Sequence, residues 1–120
     1  MNSDNYEYSP AQMSWSKQCT AELRSSPSPR WQRVRARLSQ EDVDPADAAV
    51  SDFGPDEATS AWGLIVTRDE RIFEFLLEFD SVASMDETSV VQHWWELNAA
   101  DLRGIYDRGW ELGRHLLESD

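Results

Sequence analysis

Alternating apolar and charged residues at positions 71–80 give the clearest structural signal in the chain. Every second residue of the segment RIFEFLLEFD is large and apolar, namely Phe73, Phe75, Leu77 and Phe79. The intervening positions include the two acids Glu74 and Glu78. Because successive side chains of a β-strand point to opposite faces of a sheet, this period of two predicts a strand with one apolar and one acidic face. We expect it to be the central strand of a small sheet.

Two further segments predict the strands that flank it. Residues 61–67, AWGLIVT, are rich in β-branched and aromatic side chains, and residues 90–97, VVQHWWEL, also follow a period of two. In the second segment, His93 and Trp95 share one face and Trp94 lies on the other. The short connections leave no room for helical crossovers, so a three-stranded antiparallel meander is the simplest topology.

The N-terminal part of the chain predicts helices and then an acidic connection. Ser-Pro pairs at positions 9–10 and 28–29 combine an N-cap with a proline in the first turn. They predict two N-terminal helices that end near residues 24 and 39. The next segment, 40–60, has seven acids, no basic residue, Pro45 and Gly54-Pro55. We expect it to be a long connection without a strand.

A C-terminal helix is predicted from Asn98, its N-cap, to about residue 118. Its apolar stripe includes Ile105, Tyr106, Gly109 and Gly113. Each glycine costs about 1 kcal/mol of helix stability relative to alanine. Two glycines on one stripe indicate close packing, most simply against a Trp or Phe of the sheet. The predicted fold class is therefore α+β, with two N-terminal helices, a three-stranded antiparallel meander and a C-terminal helix packed on the sheet.

These elements are expected to form one domain. A chain of 120 residues that is 40% hydrophobic has enough apolar material for one core and no room for a second. We expect residues 9–120 to be a single acidic α+β domain and residues 1–8 to be a flexible tail. The single Cys19 excludes an internal disulfide. Because no metal-ligand spacing and no nucleotide-binding motif is present, we expect neither a metal nor a cofactor.

Composition also bears on where the protein works. The N-terminus, MNSDNYEYSP, lacks the basic and apolar regions of a secretory signal. No run approaches the roughly 18 apolar residues of a transmembrane helix. We therefore expect a cytoplasmic protein that does not enter a membrane.

The net charge of −12 is large for this length and is unevenly distributed. Residues 1–40 carry a net charge of +3 and residues 41–120 a net charge of −15. A field of this sign repels nucleic acids and anionic membranes and attracts basic proteins. We expect a basic protein partner and no direct nucleic-acid binding. A generally acidic proteome would explain the same charge without a partner.

The candidate partner-binding residues combine acids with tryptophans. They are Asp42, Asp44 and Asp47 of the acidic connection, Glu74 and Glu78 of the central strand, and Trp94 or Trp95 as an aromatic anchor. An aromatic centre with a charged rim is typical of the strongest contacts in protein interfaces. The sequence does not decide which tryptophan is exposed, and helices on both faces would make both of them core.

A second hypothesis is an enzyme or small-molecule-binding protein that uses His93. If the central and third strands pair, the imidazole meets Glu74 or Glu78 and acts as a general base in a pocket between the sheet and the last helix. The simpler interpretation is a packed or surface histidine. Glu74 and Glu78 are about 13 Å apart along the strand, which exceeds the roughly 5 to 9.5 Å of a glycosidase pair. No hydrolase, kinase or metalloprotease motif is present, so a non-enzymatic function is favoured.

The sequence thus favours a small acidic protein that docks on a basic protein partner and neutralises it. Immunity proteins for bacterial toxins, antitoxins, and inhibitors that imitate nucleic acid all belong to this class. A third hypothesis is a structural or regulatory subunit that forms a homodimer through the edge of its sheet.

Overall fold

The structure, a computed structural model, describes residues 9–119, and the predicted tail at residues 1–8 lies outside them. In chain order the elements are α1 (Pro10–Ser25), α2 (Pro29–Gln40), β1 (Ala48–Glu57), β2 (Ser60–Thr67), β3 (Ile72–Glu78), α3 (Met85–Thr88), β4 (Val90–Glu96) and α4 (Ile105–Glu118). This order confirms an α+β fold with an antiparallel sheet and a C-terminal helix packed on it. None of the helices in this part of the chain is long and apolar enough to cross a membrane.

The predicted number of elements was wrong, because residues 9–119 form four strands and four α-helices in place of three of each. The missed strand, β1, lies in the segment predicted to be an acidic connection. It starts with buried small apolar residues and ends in the exposed sequence Pro55-Asp56-Glu57. Proline and acidic residues are depleted in strands, so this sequence does not predict one. Its register also shifts after Val50 and again after Pro55, which interrupts the period of two. The missed helix, α3, is a single turn.

The four strands form a meander in the order β1-β2-β3-β4, so β1 and β4 are the edges. β3 is an inner strand, as the alternating segment predicts. Glu74 pairs with Leu64 of β2 on one side and with Trp95 of β4 on the other. Phe73 and Phe75 are fully buried on the opposite face, which we call the Phe face.

α1 and α2 cover the Phe face. Both begin at the predicted Ser-Pro pairs, and the Ser9 side chain accepts a hydrogen bond from the Gln12 N–H at 3.0 Å. Leu23 of α1 and Trp31 of α2 are buried in one core with the phenylalanines of the sheet. This layer accounts for the predicted apolar face of β3.

α4 packs on the opposite face of β1 and β2. Its Leu112 is fully buried in a core that includes Leu64 and Val66. A Cβ atom at Gly109 would lie 2.8 Å from Leu64 Cδ1, and one at Gly113 would lie 2.5 Å from Val66 Cβ. The glycines therefore permit the predicted close approach. The expected Trp or Phe partner was wrong, because the helix meets aliphatic side chains.

α4 begins later than predicted. Asn98 Oδ1 accepts a hydrogen bond from the Ala100 N–H at 3.3 Å and lies at the start of a short 3₁₀ turn. The N-cap of the helix is Gly104, whose φ of +58° is costly for most other residues. Ile105 is 47% exposed at the first turn, so its predicted burial was also wrong.

The two edges of the sheet differ. Along β1, the Ser16 hydroxyl donates to the Ser51 carbonyl at 2.9 Å, and the Thr20 hydroxyl accepts from the Val50 N–H at 2.9 Å. Arg24 donates to a further carbonyl of β1. Along β4, no side chain or strand of residues 9–119 bonds to the outer backbone groups. α1 therefore covers the β1 edge, and the β4 edge is available to another chain.

Candidate functional site

The face of the sheet that α4 packs on is uncovered over the C-terminal part of β3 and over β4. We call this uncovered part the open face, and its side chains are Leu76, Glu78, Val90, His93 and Trp95. The register places Leu76 beside His93 and Glu78 beside Val90. Val90 is 48% exposed and Trp95 is 39% exposed. The open face thus combines accessible apolar surface with a carboxylate, as interface centres do.

Trp94 and Trp95 point to opposite faces of β4, as the period of two predicts. Trp94 lies on the Phe face, where its ring centroid is 5.3 Å from that of Phe73. The Arg37 guanidinium lies 5.6 Å from the centroid of the Trp94 ring. Trp95 meets the His93 ring at a centroid distance of 5.8 Å. Trp95 is therefore the accessible tryptophan, and Trp94 packs against the core.

Glu74 lies where the open face meets α4, and it is only 6% exposed. Its Oε2 accepts two hydrogen bonds, from Trp62 Nε1 at 2.5 Å and from the Tyr106 hydroxyl at 2.9 Å. Its Oε1 accepts none from residues 9–119, and no cationic side chain of that range forms an ion pair with it. A buried carboxylate therefore retains an unused oxygen at this boundary.

The Glu74 carboxylate changes the pKa of the Tyr106 hydroxyl. Its hydrogen bond to Glu74 favours the protonated phenol, and burial and the negative charge of Glu74 act in the same direction. These effects raise the pKa of Tyr106 above its ordinary value of 10.0. The phenol therefore remains a hydrogen-bond donor to Glu74 at physiological pH.

His93 lies on the same face as Glu74 and Glu78 without bonding to either. Its cross-strand neighbour is Leu76, and the two acids lie on either side of that leucine along β3. Among the described residues, the His93 ring contacts Trp95 and forms no hydrogen bond. The role of His93 as a general base stays a prediction.

The three aspartates of the acidic connection, Asp42, Asp44 and Asp47, form a loop before β1 that we call the acidic loop. Asp44 Oδ1 accepts a hydrogen bond from the Ala46 N–H at 2.9 Å, and Asp47 pairs with Arg68 at 3.1 Å. The Asp47 carbonyl also accepts the Arg68 N–H, which places the loop beside the turn before β3. Glu78 ends that strand about 20 Å farther along. The acidic loop and Glu78 are therefore not brought together.

Several concave regions of the described residues lie outside the open face, and one of about 200 Å³ is lined by the acidic loop. A cleft of about 390 Å³ between the start of β3 and α4 is lined by Ile72, Leu102, Trp110, Glu70, Asp107 and Glu111. His93, Glu74 and Glu78 are not among the described residues that line it. An apolar cavity of about 430 Å³ lies at the opposite end of the sheet, where Trp15, Arg30, Phe53 and Phe79 meet.

The sequence did not indicate that Trp62 and Tyr106 donate hydrogen bonds to Glu74. They come from β2 and α4, so only the register of the sheet and the position of the helix bring them to the carboxylate. The period of two in residues 61–67 does place Trp62 on the face opposite Ala61, but nothing local links it to position 74. Tyr106 was predicted only as part of an apolar stripe.

No protein family, curated protein or solved structure in the comparisons matches this chain. Within residues 9–119, no group of three or more His, Cys, Asp or Glu side chains could hold a metal ion. The functional inference therefore rests on the charges and contacts of the open face.

Proposed function

We propose that this protein binds a basic protein partner through its open face and neutralises that partner. The observation that carries the proposal is that Glu74, a buried acid, has no ion pair within the described residues and is the cross-strand neighbour of the exposed Trp95. Glu78, at the exposed end of the same strand, has no ion pair within these residues either. Some acids elsewhere form ion pairs within the molecule, and Glu41 and Glu96 lie 2.9 and 3.0 Å from Arg71. A basic partner would supply the cations that the open face lacks.

The overall charge supports the same partner. A net charge of −12 attracts a cationic protein over distances of about one Debye length, roughly 8 to 10 Å at physiological salt. In this proposal the acidic loop adds to that long-range field, and Trp95 forms the buried centre of the interface. Immunity proteins, antitoxins and inhibitors that imitate nucleic acid are the functional classes that bind in this way.

To test the proposal, the wild-type chain and the Trp95→Ala variant are each used to capture proteins from a native lysate. The candidate partner is a basic protein that the wild-type chain retains and the variant does not. The affinity of the identified basic protein is then measured at low and high ionic strength. We expect weaker binding at high salt, and a loss of at least about tenfold in affinity with Trp95→Ala.

Asp42→Asn is the matched control for Glu78→Gln, because each removes one negative charge from an exposed side chain. We expect Glu78→Gln to weaken binding more than Asp42→Asn does. Salt-independent affinity, or an equal effect of both variants, would contradict docking through the open face.

A further inference from the structure

The carboxylate of Glu74 is buried, and no residue within 9–119 supplies it with a counter-charge. Placing an ionised carboxylate in a protein interior is costly unless a cation or several hydrogen bonds compensate it. Trp62 and Tyr106 compensate Oε2 only, and both are neutral donors. Oε1 is not among the side-chain atoms that are sealed from solvent without a partner. A donor from outside the described chain can therefore reach it.

Aromatic side chains lie near Glu74 on the two sides of β3. Trp62 and Tyr106 meet edge to face with ring centroids 6.5 Å apart. On the other side, Trp95 is the cross-strand neighbour of Glu74, and its ring meets that of His93. Half-buried Leu76 lies between these two aromatic pairs. The Glu74 carboxylate therefore lies at one end of a short apolar surface formed by Leu76, and aromatic side chains lie on both sides of that surface.

We propose that Glu74 receives an arginine side chain of the basic partner, with Trp62, Tyr106 and Trp95 around the guanidinium and Leu76 under its aliphatic stem. This inference rests on the proposed function and names the group that the open face recognises. The guanidinium would donate to Oε1 and lie against the aromatic rings, which attract cations through their faces.

Arginine suits this site better than lysine for two physical reasons. Guanidinium is planar and more weakly hydrated than ammonium, so it loses less on entering a site that is only 6% exposed. Its apolar stem can also cover Leu76 while its charged end reaches the carboxylate. A lysine would offer a strongly hydrated point charge instead.

The experiment uses two short capped peptides that are identical except for one central arginine or lysine. The indole N–H signals of Trp62 and Trp95 report binding to the full chain by NMR. We expect the arginine peptide to shift both signals and to bind about tenfold more tightly than the lysine peptide. Glu74→Gln, which keeps a hydrogen-bond acceptor for Trp62 and Tyr106, should weaken the arginine peptide about tenfold as well.

Two control variants separate recognition from folding. Glu87→Gln removes the same charge from an exposed side chain of α3, outside the open face, and should change the affinity for the peptide by no more than about twofold. Trp95→Ala, at an accessible position, should weaken binding even if Glu74→Gln does not fold.

Equal binding of the arginine peptide by wild type and by a folded Glu74→Gln variant would contradict the proposed arginine site at Glu74. So would equal affinity for the two peptides, or the absence of any shift. The salt dependence of the whole partner tests the proposed function separately. A salt-sensitive partner that binds Glu74→Gln normally would leave the proposed function intact and remove only this inference.

Discussion

The β1–β2 half of the sheet has helices on both faces and a covered edge, whereas the β3–β4 half has one uncovered face and an uncovered edge. In the first half, polar groups are used inside the molecule: Thr20 accepts the Val50 N–H, and Ser16 donates to the Ser51 carbonyl. In the second half, Glu78 has no ion pair among the described residues and Trp95 is 39% exposed.

The difference between the two halves indicates which residues should determine stability and which should determine binding. In the enclosed half, α1 bonds to the edge of β1 and α4 packs on β1 and β2, so substitutions there should act on the free energy of unfolding. Side chains of the open half leave charge and apolar surface unpaired, so substitutions there should act on binding. The two halves therefore predict opposite patterns of mutational effects.

The largest expected loss of stability comes from Gly113→Ala in the enclosed half. The added Cβ would lie 2.5 Å from Val66 Cβ, which belongs to a fully buried side chain of β2. We expect a loss of about 2 to 3 kcal/mol in the free energy of unfolding, despite the roughly 1 kcal/mol that alanine contributes to helix propensity. Gly54→Ala is the control, because its Cβ would meet nothing within 4 Å. A neutral Gly113→Ala in urea denaturation would contradict the close packing of α4.

Thr20→Val tests the covered edge of β1. The substitution keeps the shape of the side chain and leaves the Val50 N–H without its acceptor. An unsatisfied buried donor costs about 1 to 3 kcal/mol, and we expect urea denaturation to show a loss of about 1 to 2 kcal/mol. An effect below about 0.5 kcal/mol would show that α1 does not hold this edge.

Tyr106→Phe tests the boundary between the two halves through its pH dependence. Because the pKa of Tyr106 is raised in the folded protein, the folded state keeps this proton more tightly than the unfolded state. Its contribution to stability is therefore present below pH 10 and is lost as pH rises through the raised pKa. We expect the stability advantage of wild type over the variant to shrink as the pH rises above about 10. A constant difference over that rise in pH would refute the coupling to Glu74.

His93→Ala, in the open half, should have the smallest effect on stability. The ring is exposed and contacts Trp95 without a hydrogen bond to a described residue. We expect a change in the free energy of unfolding within about 0.5 kcal/mol. A loss of several kcal/mol would mean that β4 is held as firmly as β1.

The parts of this fold that the sequence predicts correctly are those with a regular alternation of apolar and polar residues. The alternation around Phe73 and Phe75 identified β3 and its two faces, because a period of two needs no tertiary information. The same rule separated Trp94 from Trp95. It could not decide which of them is exposed, because that depends on α2 covering one face and α4 stopping short of the other.

The parts that sequence reasoning missed depend on irregular or distant structure. β1 was missed because two register shifts and the exposed Pro55 conceal its alternation. The surroundings of Glu74 were missed because Trp62 and Tyr106 are 12 and 32 positions away along the chain. Charge, in contrast, was visible at once, but only contacts show that Asp47 is paired and Glu78 is not.

The most direct test of the central claim is an NMR titration of the ¹⁵N-labelled chain with an arginine-rich peptide. The account predicts that signals of residues 74–78, residues 90–96 and the Trp95 indole shift together, and that the acidic loop at 42–47 shifts much less. Shifts concentrated in the acidic loop, or spread evenly over all carboxylate-bearing segments, would contradict it.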